Sequence, residues 1–156
     1  MTVICGIDPG ITGAVAFYFT EAPGRIAVDD VPVAGGEINA PELAHLIRIH
    51  RPTFAVIERV SAMPGNGAVS MFNFGRSYGD VRGVVGAMGV PLHFVTPAKW
   101  KKHFGLSSDK EQSRLRAIRM FPTVADRFKL KKHDGRAEAA LIALYGAEVI
   151  QTRSAA

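Results

Sequence analysis

The stretch VICGIDPGITGAVAFYF, residues 3–19, consists of two apolar runs joined by a turn that contains proline and glycine. This pattern predicts a buried strand, a tight turn and an antiparallel partner strand. Asp8 ends the first run, so a buried strand carries a carboxylate at its end. Because an unpaired buried carboxylate is strongly destabilising, Asp8 needs a cation, hydrogen-bond donors or solvent there. On this stretch alone, a turn residue bonded to its own backbone accounts for Asp8 equally well.

A second apolar run ends on an acid in the same way. The sequence TFAVIE, residues 53–58, follows a helix predicted for residues 40–50, so this strand is expected to be parallel to the first. If the two strands are neighbours, Asp8 and Glu58 lie about 5 Å apart, which is the spacing between strands. Two like charges at that distance raise each other's pKa unless a cation lies between them. The pair therefore indicates a metal site.

A third acidic position lies in the last predicted helix, DGRAEAALIALYGAEVI, residues 134–150. This helix is apolar nearly all round, so it is expected to be buried against the sheet, with Asp134 and Glu138 on one face. For Asp134, a role as helix N-cap is the stronger explanation, whereas Glu138 has no such structural role. With Asp8 and Glu58, these acids form an all-oxygen set that suits Mg²⁺ or Mn²⁺. Two such ions in one site hydrolyse phosphodiesters.

The sequence predicts five further elements. They are a third strand at residues 25–33, a long helix at 68–88, a strand at 91–95, a short basic helix at 98–104 around Trp100, and a helix at 109–120. Trp100 is expected to anchor the core. Ser108 and Glu111 match a capping box, and the helix that they begin is expected to lie on the surface with Arg114, Arg116 and Arg119.

Two further features of these helices have structural expectations. Gly75, Gly79 and Gly83 recur every four residues and form a smooth ridge, which suits either close packing on the sheet or a contact between two copies of the chain. His45 and His50 are expected on the surface of the first helix.

Positive charge is concentrated in one segment. The chain has a net charge of +5, and residues 99–132 hold eleven Lys or Arg against three acids, a local charge of +8. We call residues 99–132 the basic segment. Such a patch suits a polyanion such as nucleic acid, although a solvated helix face that keeps the protein soluble is the simpler alternative.

The composition and the motifs of the sequence argue against several classes of protein. The 156 residues fit a single domain, residues 1–156. Cys5 is the only cysteine, which excludes an internal disulfide and fits a reducing cytoplasm. No apolar run reaches 18 residues, so a membrane span is not expected. A Walker A sequence and a GxGxxG motif after a strand are both absent, so no nucleotide cofactor is expected.

Taken in order, GIDPGITGAVAF, VIE at residues 56–58, TPAKWKKHFGLSSDKEQ and HDGRAEAALIA resemble the RuvC-like Holliday-junction resolvases of the RNase H-like superfamily. The resemblance runs from Val3 to about Glu148. It implies an α/β fold with a five-stranded mixed sheet and helices on both faces. It also implies a Mg²⁺-dependent endonuclease that acts on four-way or branched DNA as a homodimer, with two metal ions per site and Mn²⁺ as a substitute.

By this resemblance, Asp8, Glu58 and Glu138 correspond to catalytic metal ligands, and Lys101 and Lys110 to basic residues near the scissile phosphate. The family's better-known bacterial members end on two Asp three residues apart, which places Gly135 at the expected position. Asp134 is therefore the substitute, and His133 is a second candidate ligand or proton carrier. The residues expected to contact nucleic acid are Arg76, Lys99, Lys101, Lys102, Lys110, Lys131, Lys132 and Arg136.

A second departure concerns the loop after Glu58. It carries Ala62 and Met63 where those relatives have an aromatic residue that probes the junction. Three alternatives to a junction nuclease remain: an RNase H-like nuclease that acts on structured RNA, a DNA-binding module without catalysis, and an actin-like ATPase. The last is the weakest, because such ATPases usually need two similar halves and this chain has one.

Overall fold

A computed structural model describes all 156 residues as an α/β fold. Its strands are β1 (Val3–Asp8), β2 (Ala14–Phe19), β3 (Ile26–Asp30), β4 (Val33–Ala34), β5 (Glu37–Ile38), β6 (Phe54–Glu58) and β7 (Leu92–Val95). Its helices are α1 (Ala40–His50), α2 (Ala68–Ala87), α3 (Pro97–His103), α4 (Lys110–Met120), α5 (Asp134–Tyr145) and α6 (Thr152–Ala155). Two 3₁₀ segments, Pro122–Phe128 and Lys131–His133, precede α5, and a π-helical segment, Gly146–Gln151, joins α5 to α6. None of the helices combines the length and apolar character that a membrane crossing requires.

The main sheet has five strands in the order β3-β2-β1-β6-β7. β1 pairs antiparallel with β2 and parallel with β6, and β6 pairs parallel with β7. This confirms the predicted mixed sheet and the predicted parallel pairing of the two strands that end on acids. Because β1 and β6 are parallel neighbours, Asp8 and Glu58 emerge at the same edge of the sheet. β4 and β5 form a separate small hairpin that the sequence pattern did not predict.

Helices cover both faces of the sheet, as expected. One core contains Ile4 and Val56 together with α5 and Trp100, and the other contains Cys5 and Ile57 together with residues of α1 and α2. The alternation follows from strand geometry, since successive side chains point to opposite faces. The buried helix predicted from residues 134–150 is therefore confirmed as the helix that packs on one face.

Gly6 sets how closely α5 approaches the sheet. A Cβ atom at this position would lie 2.2 Å from the carbonyl oxygen of Ala139 and 2.3 Å from the backbone nitrogen of Ala143. Any side chain at position 6 would push α5 away, so the strand interior requires glycine here. The close approach brings the first turns of α5, which carry Glu138, against the ends of β1 and β6.

Two expectations about α4 are wrong. The helix is capped by Asp109 rather than Ser108, because the Asp109 carboxylate accepts a hydrogen bond of 2.9 Å from the backbone N–H of Glu111. Arg114 is buried rather than exposed. Its guanidinium donates to the carbonyl oxygens of Phe128 at 3.1 Å and Lys129 at 2.7 Å, so it fixes the segment that leads into α5.

The structure also shows where the glycine ridge of α2 and the two histidines of α1 lie. A Cβ atom at Gly75, Gly79 or Gly83 would meet nothing within 4 Å, so this ridge faces outward and does not pack on the chain's own sheet. His45 is exposed as expected. His50 is half-buried instead, because its ring stacks on Phe17 with the ring centres 4.1 Å apart.

Candidate active site

Three carboxylates converge where the ends of β1 and β6 meet the start of α5. Asp8, Glu58 and Glu138 each offer an oxygen, and these oxygens lie within 4.8 Å of one another. Glu58 and Glu138 are buried, with 8% and 6% of their surface exposed, and Asp8 is half-buried. We call these residues the carboxylate triad. The sheet order supplies the first two, and the close packing of α5 over Gly6 supplies the third.

The triad carries negative charge that the protein does not fully neutralise. Burial raises the pKa of Asp8 well above its ordinary value, and the charges of Glu138 and Glu58 raise it further against the opposing charge of Lys110. Burial also raises the pKa of Glu138, and the charge of Glu58 adds to this shift. Three oxygen donors so close together, each with a raised pKa in the free protein, fit a hard divalent cation such as Mg²⁺.

Trp100 holds Glu58 in place. Its indole Nε1–H donates a 2.7 Å hydrogen bond to Oε2 of Glu58. Burial raises the pKa of Glu58, and this hydrogen bond partly opposes the shift. The prediction that Trp100 anchors the core is confirmed by its complete burial. Sequence reasoning missed its bond to Glu58, although a buried indole N–H usually finds an acceptor.

Asp134 lies beside the triad but outside it. Its Oδ2 is 2.8 Å from Nζ of Lys110, and it lies in the first turn of α5, whose N-cap position is His133. The N-cap explanation for Asp134 is therefore wrong. Burial opposes ionisation of Asp134, but the hydrogen bond and the charge of Lys110 outweigh it, so the pKa is lowered.

Gly135 leaves room for Asp8. A Cβ atom at position 135 would lie 3.0 Å from Oδ2 of Asp8 and 3.0 Å from the carbonyl oxygen of Thr12. A side chain here would therefore press against the Asp8 carboxylate. Glycine at this position leaves the Asp8 carboxylate undisturbed, and the nearest further acid on α5 is Asp134.

His133 is not brought into the triad. Its ring is buried, and Nδ1 accepts a 3.2 Å hydrogen bond from the backbone N–H of Leu130. Burial lowers its pKa, and the positive charges of Arg136 and Lys132 lower it further. The ring is thus occupied in closing the turn that leads into α5.

The basic residues predicted to contact nucleic acid fall into three groups. Lys101 and Lys110 border the acids, and Nζ of Lys101 lies 4.0 Å from Oε1 of Glu138. Arg136 and Arg76 have protein partners, since Arg136 binds both carboxylate oxygens of Asp30 at 2.7 and 2.9 Å and Arg76 binds Glu37 at 2.9 Å. The remaining four are exposed and form no ion pair: Lys99, Lys102, Lys131 and Lys132.

Comparison with solved structures identifies the fold. The chain is similar to RuvC of Thermus thermophilus, with a TM-score of 0.69 and 20% identity over 97% of both chains. It is similar to T. thermophilus RuvC in complex with a Holliday-junction substrate, with a TM-score of 0.66 and 19% identity over 97% of this chain and 96% of that one.

A more distant likeness is to the yeast mitochondrial Holliday-junction resolvase Ydc2, with a TM-score of 0.56 and 14% identity over 98% of this chain and 84% of that one. No protein-family model matches the sequence, and no curated protein matches it. At these identities the likeness establishes the fold, and it confirms the RuvC-like architecture that the motifs indicated.

Proposed function

We propose that this chain, which has the fold of the RuvC-type resolvases, is a divalent-metal-dependent endonuclease that cuts four-way or branched DNA. The observation that carries the proposal is the convergence of Asp8, Glu58 and Glu138 to within 4.8 Å at one edge of the sheet. The fold alone does not fix a substrate. The basic segment beside the triad supports a polyanionic substrate. Among the similar structures, one is RuvC in complex with a Holliday-junction substrate and another is named a Holliday-junction resolvase.

The proposed metal ligands are the carboxylate triad, with Asp134 as the fourth acid of the site. When bound there, a pair of Mg²⁺ ions supplies an activated water nucleophile and stabilisation of the leaving oxygen. Trp100 holds the Glu58 carboxylate in one orientation through its 2.7 Å hydrogen bond. Lys101 and Lys110 lie next to the acids and place positive charge where the scissile phosphate would sit. The expected products carry 5′-phosphate and 3′-hydroxyl ends.

The proposal treats residues 1–156 as one nuclease domain that acts as a homodimer, because symmetric cleavage of a four-way junction needs two sites. The outward-facing ridge of Gly75, Gly79 and Gly83 on α2 supports a contact between copies, since a smooth helix face lets a second backbone approach closely. The exposed lysines outside ion pairs, Lys99, Lys102, Lys131 and Lys132, are the proposed contacts to the DNA backbone.

The direct test is cleavage of a synthetic four-way DNA junction in Mg²⁺ by the parent chain and by Asp8→Asn. We expect the parent to nick the junction and Asp8→Asn to bind it without cutting. Asp126→Asn is the matched control, because Asp126 is an exposed acid of the basic segment that forms no ion pair. Binding without cleavage by the parent in both Mg²⁺ and Mn²⁺ would favour a non-catalytic DNA-binding module, and preferential cutting of an RNA junction would contradict the DNA substrate.

A further inference from the structure

A second, separate cavity lies behind the carboxylate triad on the opposite face of the sheet. It has a volume of about 310 Å³ and is lined by Arg59, Val60, Ser61, Tyr78, Arg82 and Phe94. None of these residues belongs to the site described above or to the basic segment. The volume is at the lower end of the range of about 300–1,000 Å³ that is typical of small-molecule pockets.

Two arginines share one aromatic ring in this cavity. The guanidinium of Arg59 lies 4.9 Å from the centre of the Phe94 ring, and that of Arg82 lies 5.0 Å from the same centre. Arg82 also lies 5.4 Å from the ring centre of Tyr78. We call Arg59, Tyr78, Arg82 and Phe94 the arginine–aromatic slot.

Neither arginine has a neutralising partner. No carboxylate forms an ion pair with Arg59 or Arg82, and neither guanidinium donates a hydrogen bond within the protein. By contrast, the guanidiniums of Arg114, Arg127 and Arg136 bind carbonyl or carboxylate oxygens. Both arginines are exposed, so their guanidiniums are accessible to an anion.

The slot is fixed to the same strand end as the triad. Arg59 follows Glu58 directly, and its backbone N–H donates a 2.7 Å hydrogen bond to the carbonyl oxygen of Val95. Phe94 pairs with Ile57 across β6 and β7. Because successive side chains of a strand point to opposite faces, Glu58 faces α5 while Phe94 and Ile57 face α2. A strand of substrate that passes over this edge can therefore reach both places.

We propose that the arginine–aromatic slot binds an unpaired nucleotide of the DNA substrate, with the two guanidiniums on its phosphate and its base stacked on the arginine and aromatic side chains. This inference rests on the proposed nuclease function. Arginines alone suit any phosphate, but the rings contribute only when a base is free to leave the stack, as in single-stranded or branched DNA. The slot therefore favours an unpaired nucleotide over a duplex.

The test compares DNA binding by Arg59→Gln and Arg82→Gln, made in the Asp8→Asn background so that the DNA is not cut. The ligands are a four-way junction with unpaired thymidines at its branch point and a duplex of equal length, measured by fluorescence anisotropy. We expect each substitution to weaken binding of the unpaired DNA by roughly tenfold and duplex binding by less than roughly threefold. Each should also lower the salt slope on the unpaired DNA by about 0.7.

Two further variants make the result specific. Arg25→Gln is the matched control, because the Arg25 guanidinium also lies over a ring, 4.5 Å from the centre of Phe19, but at the opposite end of the sheet. Phe94→Leu keeps an apolar side chain and removes the ring, so it should weaken binding of the unpaired DNA without changing the salt slope of that binding.

Three outcomes overturn the inference. If the slot variants bind unpaired DNA as Arg25→Gln does while the parent chain still binds and cuts junctions, the slot is only a packing feature and the proposed function stands. If slot variants lose affinity equally for duplex and unpaired DNA, the site binds phosphate without recognising a free base. Failure of the parent chain to bind any DNA would overturn the proposed function together with this inference.

Discussion

Replacing Asp8 with Asn should stabilise the metal-free protein while it abolishes cleavage. The Asp8, Glu58 and Glu138 oxygens lie within 4.8 Å of one another, and two unit charges at that distance repel by roughly 3–4 kcal/mol at an effective dielectric constant of about 20. Protonation and the nearby Lys110 relieve part of this repulsion. We therefore expect Asp8→Asn to raise the free energy of unfolding by about 1–3 kcal/mol at pH 8.

The pH dependence of this gain has a defined sign. The pKa of Asp8 is higher in the folded protein than in the unfolded chain, so the folded state binds more protons between the two values and loses stability as pH rises through that window. Asn at position 8 does not titrate. The advantage of Asp8→Asn over the parent should therefore be small near the unfolded pKa and complete above the raised folded pKa.

Urea unfolding in EDTA at pH 5 and pH 8, followed by the same measurement in Mg²⁺, tests this reasoning. Mg²⁺ should raise the free energy of unfolding of the parent chain and leave that of Asp8→Asn nearly unchanged. The difference in stability between the two proteins should therefore shrink or change sign when the metal is added. Asp126→Asn should behave as the parent throughout. The reasoning is refuted if Asp8→Asn unfolds more easily than the parent at pH 8 in EDTA.

Three other substitutions probe the parts of the fold that build the site. Gly6→Ala should destabilise the protein by about 3 kcal/mol or more in urea unfolding, because the added Cβ would lie 2.2 Å from a carbonyl oxygen of α5. Trp100→Phe should raise the pKa of Glu58 by removing its 2.7 Å hydrogen bond, so the acid limb of the cleavage pH–rate profile should move to higher pH. Lys110→Gln should reduce the cleavage rate by roughly 10- to 100-fold while changing stability by less than about 1 kcal/mol, because the Lys110 side chain in its ion pair with Asp134 is 65% exposed.

Each of these has its own control and its own contrary result. Gly86→Ala adds a Cβ that meets nothing within 4 Å, so it should be neutral or stabilising, and equal loss of stability at positions 6 and 86 would contradict the packing argument. For Trp100→Phe, an unshifted acid limb would show that the hydrogen bond does not tune Glu58. For Lys110→Gln, Lys129→Gln is the matched control, because Lys129 is an exposed lysine of the basic segment that forms no ion pair. Equal cleavage rates in the two variants would show that Lys110 plays no part in cleavage.

The acids at the strand ends could be predicted from the sequence because two simple rules locate them. Apolar runs predict β1 and β6, and the helix between the runs predicts that these strands are parallel. Asp8 and Glu58 were therefore expected at one edge if the two strands are neighbours, and the structure shows that they are. Glu138 could be singled out because a carboxylate in a buried helix requires a cation or hydrogen-bond donors. The five-stranded mixed sheet was implied by the family resemblance rather than by these patterns.

The rest of the site depends on which side chains the folded chain brings together. From the sequence alone, Gly6 is a residue that weakens a strand, and only the structure shows that α5 packs against it. Trp100 is predicted as a core anchor, and only the structure shows that its indole N–H donates to Glu58. Arginine is usually a surface residue. The burial of Arg114 becomes favourable because the carbonyl oxygens of Phe128 and Lys129 accept hydrogen bonds from its guanidinium. Such partners lie far apart in sequence, so periodicity alone does not reveal them.

The most direct measurement is anomalous X-ray diffraction from crystals of this protein soaked in Mn²⁺. The central claim is that residues from two strands and a helix form one cation site. It predicts anomalous density in contact with the carboxylates of Asp8, Glu58 and Glu138, and loss of that density in Asp8→Asn crystals. Full occupancy of Mn²⁺ elsewhere on the chain, with none between these three carboxylates, would contradict it.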